Sequence, residues 1–283
     1  VKKSGILSKI FIGLVFLFLY APIAVLIVFS FNASKSRTVW AGFTLDWYVE
    51  LFSDSAVMEA FGTTILVSVL AAIIATVLGT VTAVGLNQMG KRSRNFLLGV
   101  NNIPVMNSEI ITGVSLMLLF LTIGNVLRTR LGFGTLLLSH ITFDTPYVIL
   151  SVMPKLRQMD KNMFEAAQDL GATKIQSFFK VVLPQIRSGV VNGMLIAFTL
   201  SLDDFVISYF TSGTDVQTLS MLIYSMTRKR ISPKINALST ILFVAVLALL
   251  VIVNVRQFRQ EKAQAKKEAA LDPDIPDIEP EEI

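Results

Sequence analysis

The chain has 283 residues, 53% of them hydrophobic and 16% charged, and it contains no cysteine. With a mean hydropathy of +0.65 this is a membrane composition, and the absence of cysteine excludes disulfides and thiolate metal or redox chemistry. The net charge of +5 gathers in segments beside apolar runs, which argues for a membrane-orientation signal and against nucleic-acid binding.

Six apolar runs are long enough to cross about 30 Å of hydrocarbon at about 20 residues each. They cover residues 10–31, 62–86, 96–123, 135–154, 188–212 and 236–255. The runs are continuous, not alternating, which predicts helices and not barrel strands. The fold class expected is therefore an all-α membrane protein with six transmembrane helices. The first run follows Lys2, Lys3 and Lys9, is too long for a signal peptide, lacks a small-residue cleavage site, and reads as an uncleaved span. Placing the N-terminus inside puts 17 Lys and Arg in the cytoplasm and 8 outside, so both termini are expected to be cytoplasmic.

The first outside segment, 32–60, carries Trp40, Trp47 and Tyr48 as interfacial anchors beside Asp46, Glu50, Asp54 and Glu59. Asn32-Ala33-Ser34 fits a glycosylation sequon, a short pattern that carries little weight alone. Next, Gly85, four residues, then Gly90-Lys91 nearly spells a phosphate-binding loop. Arg92 stands where Ser or Thr would meet Mg²⁺, and an apolar span precedes it where a strand is required. No ATPase of its own is legible. His140 is the only histidine, so a histidine-built metal site is unavailable and a packed or helix-bridging role is expected.

Between the fourth and fifth runs lies a charged island: Glu165-Ala166-Ala167, three residues, Gly171, nine residues, Val181, one residue, Leu183-Pro184. Its local chemistry predicts helix-turn-helix. Asn162 with Glu165 forms one capping pair, Thr173 with Gln176 a second, and Gly171 falls where a left-handed turn needs it. Phe164, Ala167 and Leu170 give the first helix an apolar side; Ile175, Phe178, Phe179 and Val182 give one to the second. Pro184 suits the first turn of the helix that follows. Gly189 and Gly193 then make a small-xxx-small pair for close helix contact.

Glu109, Asp144, Asp203 and Asp204 fall within the six runs, and no Lys or Arg does. An acid at a helix centre costs about 2.5–3.5 kcal/mol on the insertion scale, so unpaired acids point to a polar cavity, a cationic ligand or protonated carboxyls. Read as helical neighbours, Asp203 and Asp204 diverge by about 100°, so one faces the pathway and the other a neighbouring helix. The outside segment 213–235 holds Arg228, Lys229, Arg230 and Lys234 against the charge trend, a candidate patch for steering an acidic partner. Beyond Arg256 the chain turns from basic to the acidic, proline-rich stretch 272–280, and residues 259–283 are expected to be a disordered cytoplasmic tail.

The spacing of the charged island resembles the EAA loop by which bacterial ABC-importer permeases grip their ATPase, with Val181 where that family prefers Ile. From about residue 15 to 258 the chain resembles the PotC-type permease family of spermidine/putrescine importers. The marks are Ser30-Phe31-Asn32, Gly42-Phe43-Thr44 with Trp47-Tyr48, Ser139-His140-Ile141-Thr142-Phe143, Glu165 to Ala172, Phe198 to Asp204, and Asn236-Ala237-Leu238. Asp144 departs from the pattern where an uncharged residue is usual, and Lys234 stands after Ser232-Pro233 where relatives carry an acid.

That resemblance implies a type I ABC-importer permease fold in the bacterial inner membrane. It implies a homologous second permease forming a heterodimer with this chain, a homodimer of cytoplasmic ATPase subunits, and an extracytoplasmic polyamine-binding protein. It also implies that ATP and Mg²⁺ belong to the ATPase and that this chain carries no cofactor and is not an enzyme. The substrate pathway would draw on Asp203, Asp204, Glu109 and Asp144. ATPase coupling would draw on Glu165, Ala166, Ala167, Gly171, Leu183 and Pro184, and receptor docking on Arg228, Lys229 and Arg230. The alternatives are an ABC permease for another cationic or small solute, or a proton-coupled secondary transporter, for which no internal repeat is visible.

Overall fold

A chain crossing hydrocarbon must satisfy its own backbone polar groups, and the spans of this one do so as helices. The structure, a computed structural model, describes residues 6–34, 39–160, 162–229 and 233–271. In order the helices are α1 Ile6–Ser30, α2 Asp46–Ser53, α3 Ser55–Gln88, α4 Lys91–Met106, α5 Glu109–Leu127 and α6 Phe133–Gln158. They continue with α7 Asn162–Asp169, α8 Lys174–Ser177, a π-helical turn Phe178–Val182, α9 Leu183–Asp203, α10 Val206–Thr211, α11 Leu219–Lys229 and α12 Pro233–Leu271. Six stretches are long and apolar enough to span: Lys9–Ser30, Ser55–Gln88, Glu109–Val126, Phe133–Gln158, Lys174–Asp203 and Pro233–Ile252.

The number of spans agrees with the sequence reading, but two are divided. The run 96–123 breaks at Asn107 and Ser108, both in extended conformation, so α4 and α5 are separate helices. Asn101, Asn102, Pro104 and Asn107 interrupt its apolar pattern, and only Glu109–Val126 qualifies as a span. The run 188–212 breaks at Asp204, whose ψ of 128° ends α9 before α10 begins. Asp203 and Asp204 are therefore not successive residues of one helix, and the 100° argument gives way to a helix end.

The centre is built from α3, α6 and α9, where small residues let backbones approach without a hydrophobic drive between helices. A Cβ on Gly79 of α3 would lie 2.7 Å from Val148 of α6. From α9, a Cβ on Gly189 would lie 2.8 Å from the Ser151 carbonyl, and one on Gly193 would lie 3.1 Å from Val148 Cα. The small-xxx-small pair thus seats α9 on α6. Ala72, Ala75, Ala83, Val152 and Ile186 close the same core. α1 is exposed from Lys9 to Tyr20, becomes partly covered towards buried Ser30, and packs on α12.

At the end of the bundle away from α7, one knot uses several distant sequence marks. Buried Asn32 donates to Val39 O at 2.8 Å and accepts from the Ala41 amide at 2.9 Å, while Trp47 Nε1 donates to Asn32 O at 2.8 Å. Phe31 stacks on Phe43 and Tyr48, and Ser30 hydrogen bonds to the Tyr48 hydroxyl. Lys234, at the start of α12, bonds to Asp54 and, at 3.3 Å, to Glu50. These contacts fasten α12 to the α2–α3 corner, where the Asp54 side chain accepts from the Ala56 amide and caps α3.

At the other terminus α12 runs on to Leu271, which corrects the expectation of disorder from 259. Residues 259–271 are rich in Ala, Glu, Gln, Lys and Arg, all strong helix formers that need no apolar neighbour to favour the helix. The acidic, proline-rich stretch 272–283 lies outside the described residues.

Candidate functional site

The intramembrane acids separate into two groups. Asp144 of α6 is fully buried and Asp204 has a side chain only 4% exposed. Ser201 Oγ donates to Asp144 Oδ2 at 2.7 Å and lies 2.9 Å from His140 Nδ1, while His140 Nε2 lies 3.1 Å from Ser208 Oγ. Because Ser201 gives its hydroxyl proton to Asp144, Nδ1–H is the donor to Ser201 Oγ, while Nε2 faces both Ser208 Oγ and, at 3.6 Å, Asp204 Oδ2. His140 therefore bridges α6 to α9 and α10. Asp204 holds the other edge, accepting from the Ile207 and Ser208 amides at 3.2 and 2.7 Å. Those amides are orphan donors at the start of α10, and a carboxylate there also meets the positive end of the helix. The break at Asp204 is thus built and capped.

Asp203 and Glu109 form the second group, and both are exposed. Asp203 ends α9, where Ser220 Oγ of α11 donates to its backbone carbonyl at 3.3 Å. Glu109 opens α5, and one turn later Gly113 meets α10, a Cβ there lying 3.0 Å from Phe210. That contact sets the start of α5 beside α10, the short helix that follows Asp203. The two helix breaks, at Asn107–Ser108 and at Asp204, thus bring an exposed acid from each into one region. Discontinuous helices at membrane depth are tolerated where they line a cavity or are covered by protein.

At the far end of α9 the charged island folds as a helix-turn-helix. Gly171 has φ +88°, and the turn is a Schellman closure: Gly171 N donates to Gln168 O at 2.8 Å and Ala172 N to Ala167 O at 3.1 Å. Thr173 and Gln176 bond reciprocally, the predicted capping box. The first helix is held differently from expectation. Asp160, not Asn162, supplies the side-chain oxygen, accepting from the Asn162 amide at 2.9 Å, because α7 already begins at Asn162.

The π-helical turn before Pro184 was not legible in the sequence. Leu183 N donates to Phe178 O, and the wider turn accommodates a proline that has no N–H and would crowd the carbonyl four residues back. Leu170, Ile175 and Phe179 are 90, 71 and 59% exposed, an apolar face of the kind that marks a partner surface. Ile175 and Phe179 also line a cleft of about 890 Å³ between the loop and the ends of α3 and α6, with Val84, Leu156, Phe164, Phe178, Lys91 and Arg94. Glu165 lies within α7, Ala166 is exposed, Ala167 and Leu183 are half-buried, and Pro184 is exposed in the first turn of α9.

Of the basic patch, Arg228 is exposed, with its guanidinium 5.0 Å from the centroid of the Tyr224 ring, and Lys229 ends α11. Arg230 lies outside the described residues. Lys234 is committed to Asp54 and Glu50 on the same end of the bundle.

Residues 75–264 match the family described as binding-protein-dependent transport system inner membrane component. The chain belongs to this family. Among relatives of this inner membrane component, the putrescine transport system permease protein PotI of Escherichia coli (strain K12) is 43% identical over 234 residues, covering 82% of this chain and 83% of that protein. The spermidine/putrescine transport system permease protein PotC of Haemophilus influenzae is 37% identical over 246 residues, covering 87% of this chain and 94% of the relative. In fold, the inner membrane component is similar to a chain of a bacterial ABC transporter involved in the import of the acidic polysaccharide alginate. That likeness has a TM-score of 0.68 at 18% identity over 89% of this chain and 94% of the other.

Proposed function

We propose that this chain is the membrane-spanning permease subunit of an ATP-driven importer that carries polyamines, spermidine or putrescine, into the cell by alternating access. The observation that carries the reading is the pair of exposed acids, Asp203 and Glu109, at two helix breaks within the apolar runs 96–123 and 188–212, which hold no Lys or Arg. A flexible polycation needs several anionic contacts that are few and weak enough to release it. The names of the relatives point to the same substrate class.

In this proposal Asp203 and Glu109 meet the substrate, while Asp144 and Asp204 hold the α6–α9–α10 junction that shapes the path. The excess of Lys and Arg on one side supports a cytoplasmic location for both termini and the helix-turn-helix. There Leu170, Ile175 and Phe179 dock on a separate ATPase that binds ATP and Mg²⁺, Glu165 to Gly171 acts as a lever, and Leu183-Pro184 passes the movement into α9. A homologous second permease completes the path. On the outer side Arg228, Lys229 and Arg230 steer an acidic rim of a polyamine-binding protein. The test is uptake of labelled spermidine and putrescine in cells with and without this chain, before and after ATP depletion. Uptake that persists without the chain contradicts the proposal.

A further inference from the structure

Phe205, Tyr209 and Tyr224 make a cluster of rings beside the α9 break. Phe205 and Tyr224 have centroids 4.5 Å apart, Phe205 and Tyr209 5.5 Å, and Tyr209 and Tyr224 6.3 Å. They are not simply core: Tyr209 is 52% and Tyr224 36% exposed. Ser220, Tyr224 and Arg228 form one row along α11 at four-residue intervals, and Ser220 is bonded to the Asp203 backbone. The rings therefore stand beside the end of α9 that carries the exposed Asp203. The row ends in a cation already resting on a ring, the Arg228 guanidinium against Tyr224. Among the described residues Arg228 makes no ion pair.

We infer that Phe205, Tyr209 and Tyr224 form the aromatic half of an ammonium seat whose acidic half is Asp203, and that Arg228 occupies its ring face until a substrate ammonium replaces it. This inference rests on the polyamine reading and adds the residues that read the substrate. An aromatic face attracts a cation through its quadrupole, and a ring also accepts the methylenes between two ammonium groups. One ammonium meets Asp203, the chain lies along Phe205, and a second ammonium takes the face of Tyr224. Arg228 as resident cation shields the exposed rings when substrate is absent, and its release links arrival of the substrate to α11, on the side where the receptor docks.

The test uses the complete complex in lipid with its binding protein at saturation. Uptake and stimulated ATPase are read against spermidine concentration for wild type, Tyr224→Phe, Tyr224→Leu and Arg228→Gln. The phenylalanine keeps the ring and should behave within about twofold of wild type, whereas leucine should raise the half-maximal concentration about five- to thirtyfold. Arg228→Gln, which empties the ring face, should lower it. Equal curves for the phenylalanine and leucine variants would overturn the seat, as would an increase for Arg228→Gln. If Tyr224→Leu does not reach the membrane, the direction of the Arg228→Gln shift decides. A wild-type complex that takes up no spermidine would instead sink the transport reading itself.

Discussion

Ser201 donates its hydroxyl to Asp144 at 2.7 Å and thereby ties α9 to α6 across 57 residues of sequence. The same oxygen faces His140 Nδ1, so one small side chain satisfies two buried polar groups at once. Ser201→Ala leaves both without that partner, and an unpaired buried polar group costs about 1–3 kcal/mol. We expect a lower Tm for the purified Ser201→Ala protein, with Ser201→Thr recovering part of the loss because it restores the hydroxyl. An unchanged Tm for the alanine variant would show that the network does not hold the junction.

Gly189 sets how closely α9 approaches α6. A methyl there would lie 2.8 Å from a backbone carbonyl, which cannot swing aside as a side chain can. Gly189→Ala should destabilise the protein by about 1–3 kcal/mol, the usual range for overpacking. Gly85→Ala meets nothing within 4 Å and serves as the control. The pair of Tm values in detergent checks this.

Gly171 carries φ +88° and donates to Gln168 O. Proline removes that donor and fixes φ near −65°, so Gly171→Pro should abolish uptake and substrate-stimulated ATPase at normal membrane abundance. Gly171→Ala meets no neighbour within 4 Å, and its cost is the left-handed conformation alone, about 1–2 kcal/mol. Its activity should fall between wild type and the proline variant. Full uptake by Gly171→Pro would remove the turn from the coupling path.

The bond from Lys234 holds the Asp54 carboxyl below the ordinary carboxylate range, against a smaller opposing effect of burial. Because the folded value is depressed, the contribution is complete above the unfolded value near 3.9 and is lost as pH falls through the folded one. The pair is partly exposed, so its worth is about 0–1 kcal/mol. The Tm difference between wild type and Asp54→Asn should therefore be small and constant from about pH 8 to pH 5. A difference that disappears between pH 7 and pH 6 would contradict the assignment.

How far the sequence reveals this molecule depends on the range of the interactions. The Gly171 turn and the Thr173–Gln176 box follow from neighbours within a few residues, and both are found where expected. Span existence follows from composition, yet hydropathy averages over a run, so the breaks at Asn107–Ser108 and Asp204 were smoothed over. Asn101, Asn102 and Pro104 carried the first signal. For the second, an acid three and four residues before amides it can cap was legible in principle. The pairing of His140 with Ser201 and Ser208 joins residues 61 and 68 apart, and no local pattern announces it. Nor does spacing show that Asp144 is buried and Asp203 open, since that depends on where the helices end.

The account turns most directly on Asp203, the exposed acid at the α9 break. Asparagine keeps its size and hydrogen bonding and deletes the charge. In a reconstituted complex, spermidine uptake normalised to membrane abundance should fall about ten- to a hundredfold for Asp203→Asn, the equivalent of about 1.5–3 kcal/mol for a lost charged contact. Asp144→Asn, in the buried network, should transport within about threefold of wild type, less than 1 kcal/mol on the same scale. Normal uptake by Asp203→Asn and by its double variant with Glu109→Gln would contradict the claim that these carboxylates carry the polyamine.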